Sequence, residues 1–553
     1  MRFLIPIILS CYFLFAGCKE KAEETPAAAE DFSYSGSSVD GQVQPSLLYT
    51  NLGLMPAVRI SFTAAPDPGS VAANIFLNET SGAAATFNTS FENEGKTLLL
   101  TPAAPLLSFK SYILTISGEL RSKKNSALKN SVTLNLRTGI DLSNKFPVIP
   151  DHQLLDLVQK QTFKYFWDFA HPVSGLARER NTSGNTVTSG GSGFGIMAIV
   201  VAVSRSFISR TEGLERLQKI VSFLGTKARR FHGAFPHWLD GGTGDVIPFS
   251  TKDNGADLVE TSYLVQGLLT ARQYFDGQSP AEAKLRNDIN GICNTVEWSW
   301  FRKGGGNVLY WHWSPDFNWE IGLPIRGWNE ALITYVLAAS STDYAISKEV
   351  YDTGWAKNGA MANGVSYFGV QLPLGPANGG PLFFSHYSFL GINPFGLSDA
   401  YANYEVQNKA HTLINYTYCR TNPKGYTGYS EECWGLTASD DINGYMVHDP
   451  GNDNGVISPT AALSSFPYTP EESMRALKFF YYKLGDRLWG TYGFYDAFSL
   501  KDAWFAGSFL AIDQGPVIIM IENYRSGLLW NLFMSCPEVR TGMQKLGFTG
   551  PGI

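Results

Sequence analysis

The chain runs to 553 residues with a formal net charge of −6; charged residues make up 17% and aromatic residues 14%, with Trp at 13. That length allows more than one domain, each with a sizeable core. Mild acidity and the lack of a basic stripe exclude a nucleic-acid binder. Many aromatics with few charges fit either large-core packing or sugar binding, in which flat ring faces meet C–H surfaces.

Residues 1–18, "MRFLIPIILSCYFLFAGC", carry one early Arg, an apolar stretch too short for a good spanning helix, and small residues before Cys18. This is the pattern of a secretory signal. The ending "FAGC" resembles the bacterial lipobox, with Phe15 where Leu is commonest. On that resemblance Cys18 is the lipidated first residue of an exported protein, held at the outer membrane or cell surface by its acyl chains. Simple secretion is the alternative. Residues 19–39, charged and rich in Ala and Ser, read as a flexible tether. Past the signal remain Cys293, Cys419, Cys433 and Cys536. Cys419 and Cys433 either pair in an oxidising compartment or stay buried thiols, and no Cys/His spacing suggests zinc.

Over 40–139 short runs such as "AVRISF", "NIFLNE", "KTLLLTPAAPL", "SYILTI" and "SVTLNLRTG" alternate with Pro, Gly, Asn and Ser. The pattern predicts a small β-sandwich. It holds no cluster of His, Cys or paired acids for chemistry. Over 140–553 the period becomes helical. "DHQLLDLVQKQTFKYFWDFA" follows Asp151, a candidate N-cap, and about a dozen helices are expected in all. Residues 194–203 and 516–521 are apolar nearly all round, which predicts burial on both sides. The loops 231–256, 304–326, 359–396 and 423–458 are long, and loops of that length in a compact helical domain are usually functional. Periodicity supports a large all-α domain. Its paired helices and elaborate loops suggest an (α/α)6 toroid with a cleft at one end.

No phosphate loop, H-E-x-x-H or G-x-S-x-G elbow occurs. "GGSGFG" reads as a flexible turn. "HDPGNDNG" has the look of a calcium loop, but Gly451 stands where a ligand belongs and no Glu closes the run. No metal and no cofactor are expected. What remains is carboxylates among aromatics: Asp240, Asp253, Asp257 and Glu260 beside His237 and Trp238; Glu330 beside Trp311, Trp313, Arg326 and Trp328; then Asp440, Asp441 and Asp513. Glycoside hydrolysis needs one carboxylic acid to protonate the leaving oxygen and one carboxylate to activate water or attack the sugar. Aromatic surroundings raise the pKa of such an acid by desolvating it. Structural roles compete with this. Asp257 is placed to cap the next helix, with Glu260 completing a capping box. Glu330 sits in the first turn of "WNEALITYVL", where a helix dipole favours an acid. Arg326 has neighbouring acids to pair with, and His237 suits the role of an orienter.

The run "ISFTAAPDPGSV", "LLLTPAAPL", "YILTI" and "LRTG" resembles bacterial Ig-like domains of the Big_5 group. The segments "HWLDGGTG", "DNGADLVETSYLVQGLLTARQYF", "PIRGWNEALITYVLAASS", "GGPLFFSHYSFLG", "CWGLTASDD" and "AIDQGPVIIMIENYRSGLLW" resemble the glucoamylase-like proteins of glycoside hydrolase family 144 over roughly 150–548. The resemblance implies an (α/α)6 fold and endo-acting, anomer-inverting hydrolysis of β-1,2-glucan to sophorose-type oligosaccharides, with exo-acting members that release sophorose. The family's acids fall on Asp253, Asp257 and Glu330. Glu330 is expected to be the general acid and Asp257 or Asp253 the base or water-positioning group, with Asp513 in reserve. His237, Trp238, Asp240, Glu260, Trp311, Trp313, Arg326, Trp328, Asp440 and Asp441 are expected to bind substrate. The partners implied are a glucan and, through the lipid, a membrane, with the chain a monomer. A non-catalytic glycan-capture lipoprotein is the rival from another class.

Overall fold

The computed structural model describes residues 30–553. The signal, Cys18 and the first part of the tether lie outside the described residues. The chain divides into two compact units, the first ending at Asp141 and the second spanning Leu142–Ile553.

The first unit is a two-sheet sandwich. One sheet has the order β1 (Tyr34–Val39), β3 (Val58–Phe62), β7 (Thr97–Pro102), β6 (Phe87–Glu92). The other has β2 (Leu48–Leu52), β9 (Val132–Thr138), β8 (Ser111–Ile116), β4 (Ile75–Glu79), β5 (Ala84–Ala85). All described pairs are antiparallel except β2 with β9. Alternation sets the faces: on β3, Val58, Ile60 and Phe62 are buried while Arg59 and Ser61 are half-exposed. A short helix α1 (Pro68–Asn74) begins at Asp67, whose side chain caps Gly69, with Pro68 at the first helical position. One expectation is corrected here. Residues 34–39 are not tether but the edge strand β1, paired to β3, and Phe32 and Val39 are buried in the sandwich core. Polar Ser and Gly masked the strand, since only Val39 is fully buried along it.

The second unit is helical. Its described helices include α2 (Asp151–Trp167), α3 (Ser189–Ser204), α4 (Arg210–Thr226), α5 (Leu258–Tyr274), α6 (Pro280–Cys293) and α7 (Leu332–Ser340). Further along come 3-10 turns between Leu382 and Leu390, then helices Tyr404–Thr421, Pro459–Leu463, Pro470–Lys478 and Ala511–Ser526. Pro150, not Asp151, occupies the position before α2. α4 starts with a full capping box, Ser209 and Glu212 each bonding the other's backbone N–H. The buried helices pack in succession: α3 on α5, α5 on α7, α7 on the 388–390 turn, helix 459–463 on helix 511–526, and that helix back on α3. The 382–390 and 459–468 segments are joined by His386 Nε2 with Ser465 Oγ (3.0 Å) and by Tyr468 donating to the Ser385 carbonyl (2.9 Å). The amphipathic helices α2, α4, α6, 404–421 and 470–478 lie against this inner set.

The glycines read as a flexible turn are a second correction. "SGGSGFG" forms the first turns of α3 and is buried throughout. A Cβ on Gly193 would stand 2.2 Å from the Tyr263 carbonyl oxygen, and one on Gly267 would stand 2.2 Å from the Gly193 carbonyl oxygen. Missing side chains let the α3 and α5 backbones approach closely. Local propensity alone favours Ala over Gly inside a helix by about 1 kcal/mol. We expect Gly193→Ala to do the reverse and destabilise by about 3 kcal/mol or more, an overpacking cost. A fall in the thermal midpoint checks this, and an unchanged or higher midpoint refutes the close-contact account.

Candidate active site

β13 (Ala256–Asp257) and β14 (His312–Trp313) pair in register, with Asp257 opposite His312. α5 starts directly after. Asp257, with extended backbone at φ −118 and ψ 109, is its N-cap. One carboxylate oxygen accepts from the Val259 N–H (3.0 Å) and the Glu260 N–H (2.9 Å). The other accepts from His237 Nδ1 at 3.0 Å and has His312 Nε2 at 3.7 Å. Capping and ion pairing are thus done by two different oxygens of one buried side chain. Glu260 does not complete a capping box. Its Oε2 accepts from the Gly190 N–H of α3 (2.7 Å) and from Thr188 Oγ1 (3.2 Å), on β10 (Thr186–Thr188). A Cβ on Gly190 would stand 2.6 Å from that same oxygen, so the glycine is required for the contact.

Above this floor lies a cavity of about 430 Å³. Its polar wall is Glu179, Arg180, Thr188, His237, Glu260 and Glu330; its aromatic wall includes Trp238, Phe249, Trp311, Phe383, Tyr387 and Tyr445. Each of the four long loops contributes: His237, Trp238 and Phe249 from 231–256; Trp311 from 304–326; Phe383 and Tyr387 from 359–396; Tyr445 from 423–458. Glu330 stands just before α7 rather than in its first turn, where Tyr263 and Ser388 hydroxyls both donate to its backbone carbonyl.

The site's charges divide into two kinds. Burial pushes the Glu330 carboxyl up to about 7; its own N–H opposes this, and Asp257 and Glu260 reinforce it. Burial likewise raises Glu260, with His237 pulling the other way and Asp257 adding to the rise. Burial and the Asp257 charge push Asp253 up to about 7. Its Oδ2 is 3.4 Å from His312 Nε2, and its buried Oδ1 has no hydrogen-bond partner among the described residues. Asp257 goes the opposite way: burial raises it, but the His237 hydrogen bond and the two imidazoles outweigh that and hold it low. His237 is pushed up to about 9, because Glu260, Asp257 and Asp253 outweigh its burial. The result is an ionised His237–Asp257 pair beside Glu330 and Asp253, whose carboxyls titrate near neutrality. His237, Asp253 and Asp257 each offer a ligand atom within 4.8 Å of the others. Two of the three already satisfy each other as an ion pair, so a cation there would first have to displace the His237 proton.

On another wall Arg180 donates from Nε to Glu179 (3.0 Å) and from Nη1 to Asp440 (3.2 Å). The Asp440 N–H donates to Asp496 at 2.6 Å. Burial pushes Asp496 up to about 7 and raises Asp513 well above its usual range, so the Asp496–Asp513 pair carries a proton.

The structure brings Glu330, Glu260, His237, Trp238 and Trp311 to the cavity, with Asp257 and Asp253 directly beneath through the two histidines. Asp440 meets the cavity through Arg180. Others lie elsewhere. Asp240 caps a turn by accepting from the Gly242 and Thr243 N–H groups (2.8 and 2.9 Å). Trp313 packs among Phe231, His232 and Trp300. Trp328 is buried in the core against Phe389 and Tyr404, and Arg326 is exposed away from the cavity lining. Asp441 is held by Asn454 (2.6 Å), and Asp513 is buried outside the cavity lining. Sequence reading had no signal for Arg180, Tyr263, Tyr387 or Tyr445, which converge only in three dimensions.

The fold and the cavity define a class: a helical, aromatic-lined carbohydrate-type domain in a chain that also carries an Ig-like module. Residues 322–537 match the family model described as "Putative glucoamylase", and residues 41–138 match "Bacterial Ig-like domain". The chain belongs to the glucoamylase-like proteins of glycoside hydrolase family 144. It is 53% identical to the endo-β-1,2-glucanase of Chitinophaga pinensis, solved with sophorotriose and glucose, over 73% of this chain and all of that one, with a TM-score of 0.72. A β-1,2-glucanase structure from Parabacteroides distasonis is 39% identical over 94% of this chain and 73% of that one, with a TM-score of 0.71. An exo β-1,2-glucooligosaccharide sophorohydrolase (non-reducing end) of Parabacteroides distasonis is 50% identical over 418 residues; the match covers 72% of this chain and 58% of that relative's length.

The His237–Asp257 pair has a pH signature. The His237 pKa rises on folding from its ordinary 6.5 to about 9. Its contribution to stability is therefore complete below about pH 6.5 and is lost as pH rises through about 9. We expect the thermal midpoint of the wild type to decline more steeply over that window than that of His237→Gln. Parallel declines would show that the pair is not ionised as described.

Proposed function

We propose that the cavity hydrolyses β-1,2-linked glucan by single displacement, with Glu330 as general acid. The observation that carries this is a carboxyl group whose burial holds its pKa near 7 inside an aromatic-walled cavity, where an acid keeps its proton until a glycosidic oxygen needs it. Likeness to enzymes named for β-1,2-glucan supplies the linkage. Asp257 acts through His237, which faces the cavity, and positions the attacking water as a positioning residue; Asp253, beside that pair and with one oxygen that accepts no hydrogen bond from a described residue, takes the proton the water gives up. Trp238, Trp311, Tyr387 and Tyr445 supply ring faces for glucosyl units. We take the inner helices α3, α5, α7, the 382–390 turns, 459–463 and 511–526, with the amphipathic helices outside them, to close as an (α/α)6 toroid. Their succession of contacts, joined between the 382–390 and 459–468 segments by two hydrogen bonds, supports that closure. The cavity then lies where the loops between helices meet.

Endo-acting cleavage is our first reading, because the Chitinophaga endo-enzyme is covered over its whole length. Exo-acting release of sophorose is the second, favoured by the 50% identity to the sophorohydrolase. Early products decide between them: endo cutting gives a spread of lengths from the first minutes, and exo cutting gives sophorose alone. The lipid anchor is proposed from sequence, and Cys18→Ser releasing the protein from the membrane fraction is its test.

Glu330→Gln should lower kcat on β-1,2-glucan by about 10³-fold with little change in KM or thermal midpoint, since the change is nearly isosteric. Wild-type activity should fall tenfold per unit above about pH 7, as Glu330 loses its proton. Reducing-end assays across pH check both, and a variant within a few-fold of wild type removes Glu330 from the mechanism.

A further inference from the structure

The hairpin of Ala438–Asp441 and Gly444–Val447 shapes one wall of the cavity: its Tyr445 lines it and its Asp440 clamps Arg180. Yet the outer strand has little packing of its own, since all four of its residues are exposed, Tyr445 at 51% and Val447 at 43%. Something must fix it at its base. There His448 follows the outer strand and is completely buried, with neither ring nitrogen meeting hydrogen-bond geometry with any of the described residues. Its Nε2 points at Asp441 Oδ2, 3.5 Å away. That is too long for a sound hydrogen bond. It matches the edge of a coordination polyhedron, because two ligands about 2.0–2.2 Å from one tetrahedral ion stand about 3.4 Å apart.

We propose that His448, Asp441 and Asn454 bind one divalent transition ion of the Zn²⁺ type, which pins the hairpin over the cavity. The third ligand is the Asn454 carbonyl oxygen, which is buried without a partner among the described residues while its Nδ2 donates to Asp441 Oδ2 at 2.6 Å. Water completes the shell. The Asp441 carboxylate is oriented by the Asn443 N–H, which donates to its other oxygen at 3.1 Å. The neighbouring acids are otherwise engaged: Asp453 accepts from Tyr418, Tyr429 and the Gly455 N–H, and Asp449 from Gly451 and Asn452. One imidazole with two oxygens suits Zn²⁺ and not Ca²⁺, which takes six to eight oxygens. This inference stands apart from the hydrolase reading, because its test reads metal content and stability.

Full-length protein stripped with EDTA and then exposed to Zn²⁺ should retain one ion per chain after desalting and gain a few degrees in Tm. Ca²⁺ at the same concentration should do neither. His448→Ala should lose both effects, and His237→Ala, which disables the cluster under the cavity, should keep them. Zinc content unchanged by His448→Ala, or no retained zinc in the wild type, overturns the proposal. Should His448→Ala fail to fold, anomalous scattering from a zinc-soaked wild-type crystal decides. A peak between His448 and Asp441 supports the site; a peak at His237 and Asp257, or a bound water alone, overturns it.

Discussion

Everything in the site hangs on how closely α3 approaches α5. Gly193 and Gly267 remove the side chains that would hold these backbones apart, and Gly190 then brings its N–H to the Glu260 carboxylate at 2.7 Å. A carboxylate spent on a neighbouring helix cannot cap its own. Asp257 caps the helix with one oxygen and holds His237 with the other. The close approach thereby fixes Glu260 beside the His237–Asp257 pair at the cavity.

The arrangement separates charge by environment rather than by residue type. Asp257 and Asp253 are both buried, yet one is held low and the other pushed up to about 7. The difference is a direct hydrogen bond to a histidine in the first case and a more distant 3.4 Å approach with an unpartnered oxygen in the second. Once Asp257 carries charge, its neighbours Asp253, Glu260 and Glu330 find ionisation harder. The Arg180 wall repeats the logic, with a cation fixing Asp440 and a buried Asp496–Asp513 pair holding a proton behind it.

Much of this was legible in sequence because it follows from period and composition. The strands at 58–62, 111–116 and 132–138, the all-round apolar helices and the four long loops match what alternation, 3.6-residue spacing and loop length dictate. What failed did so for physical reasons. Strand β1 is polar because little of it is buried, so it has no alternation to read. The glycine run looked like a turn, since a helix that trades propensity for close approach gives no local sign of the trade. Trp328 and Arg326 sit two residues apart beside Glu330, but one is in the core and the other in solvent. Residues near a functional acid in sequence share its cleft only if the backbone turns them all the same way. Arg180 and Tyr387, distant in sequence from the acids, were beyond any such reasoning.

The outermost strands of the N-terminal sandwich have a bearing on its life at high local concentration. β6 ends one sheet with unpaired amides and carbonyls along its free rim, a template onto which another chain can add a strand. Its sequence, Phe-Asn-Thr-Ser-Phe-Glu, is mostly polar, and Glu92 is engaged by Arg59 across the sheet face (3.0 Å). At the end of the other sheet β5 is only two residues long. Crowded copies of this module thereby meet no long, dry margin at either of these two rims.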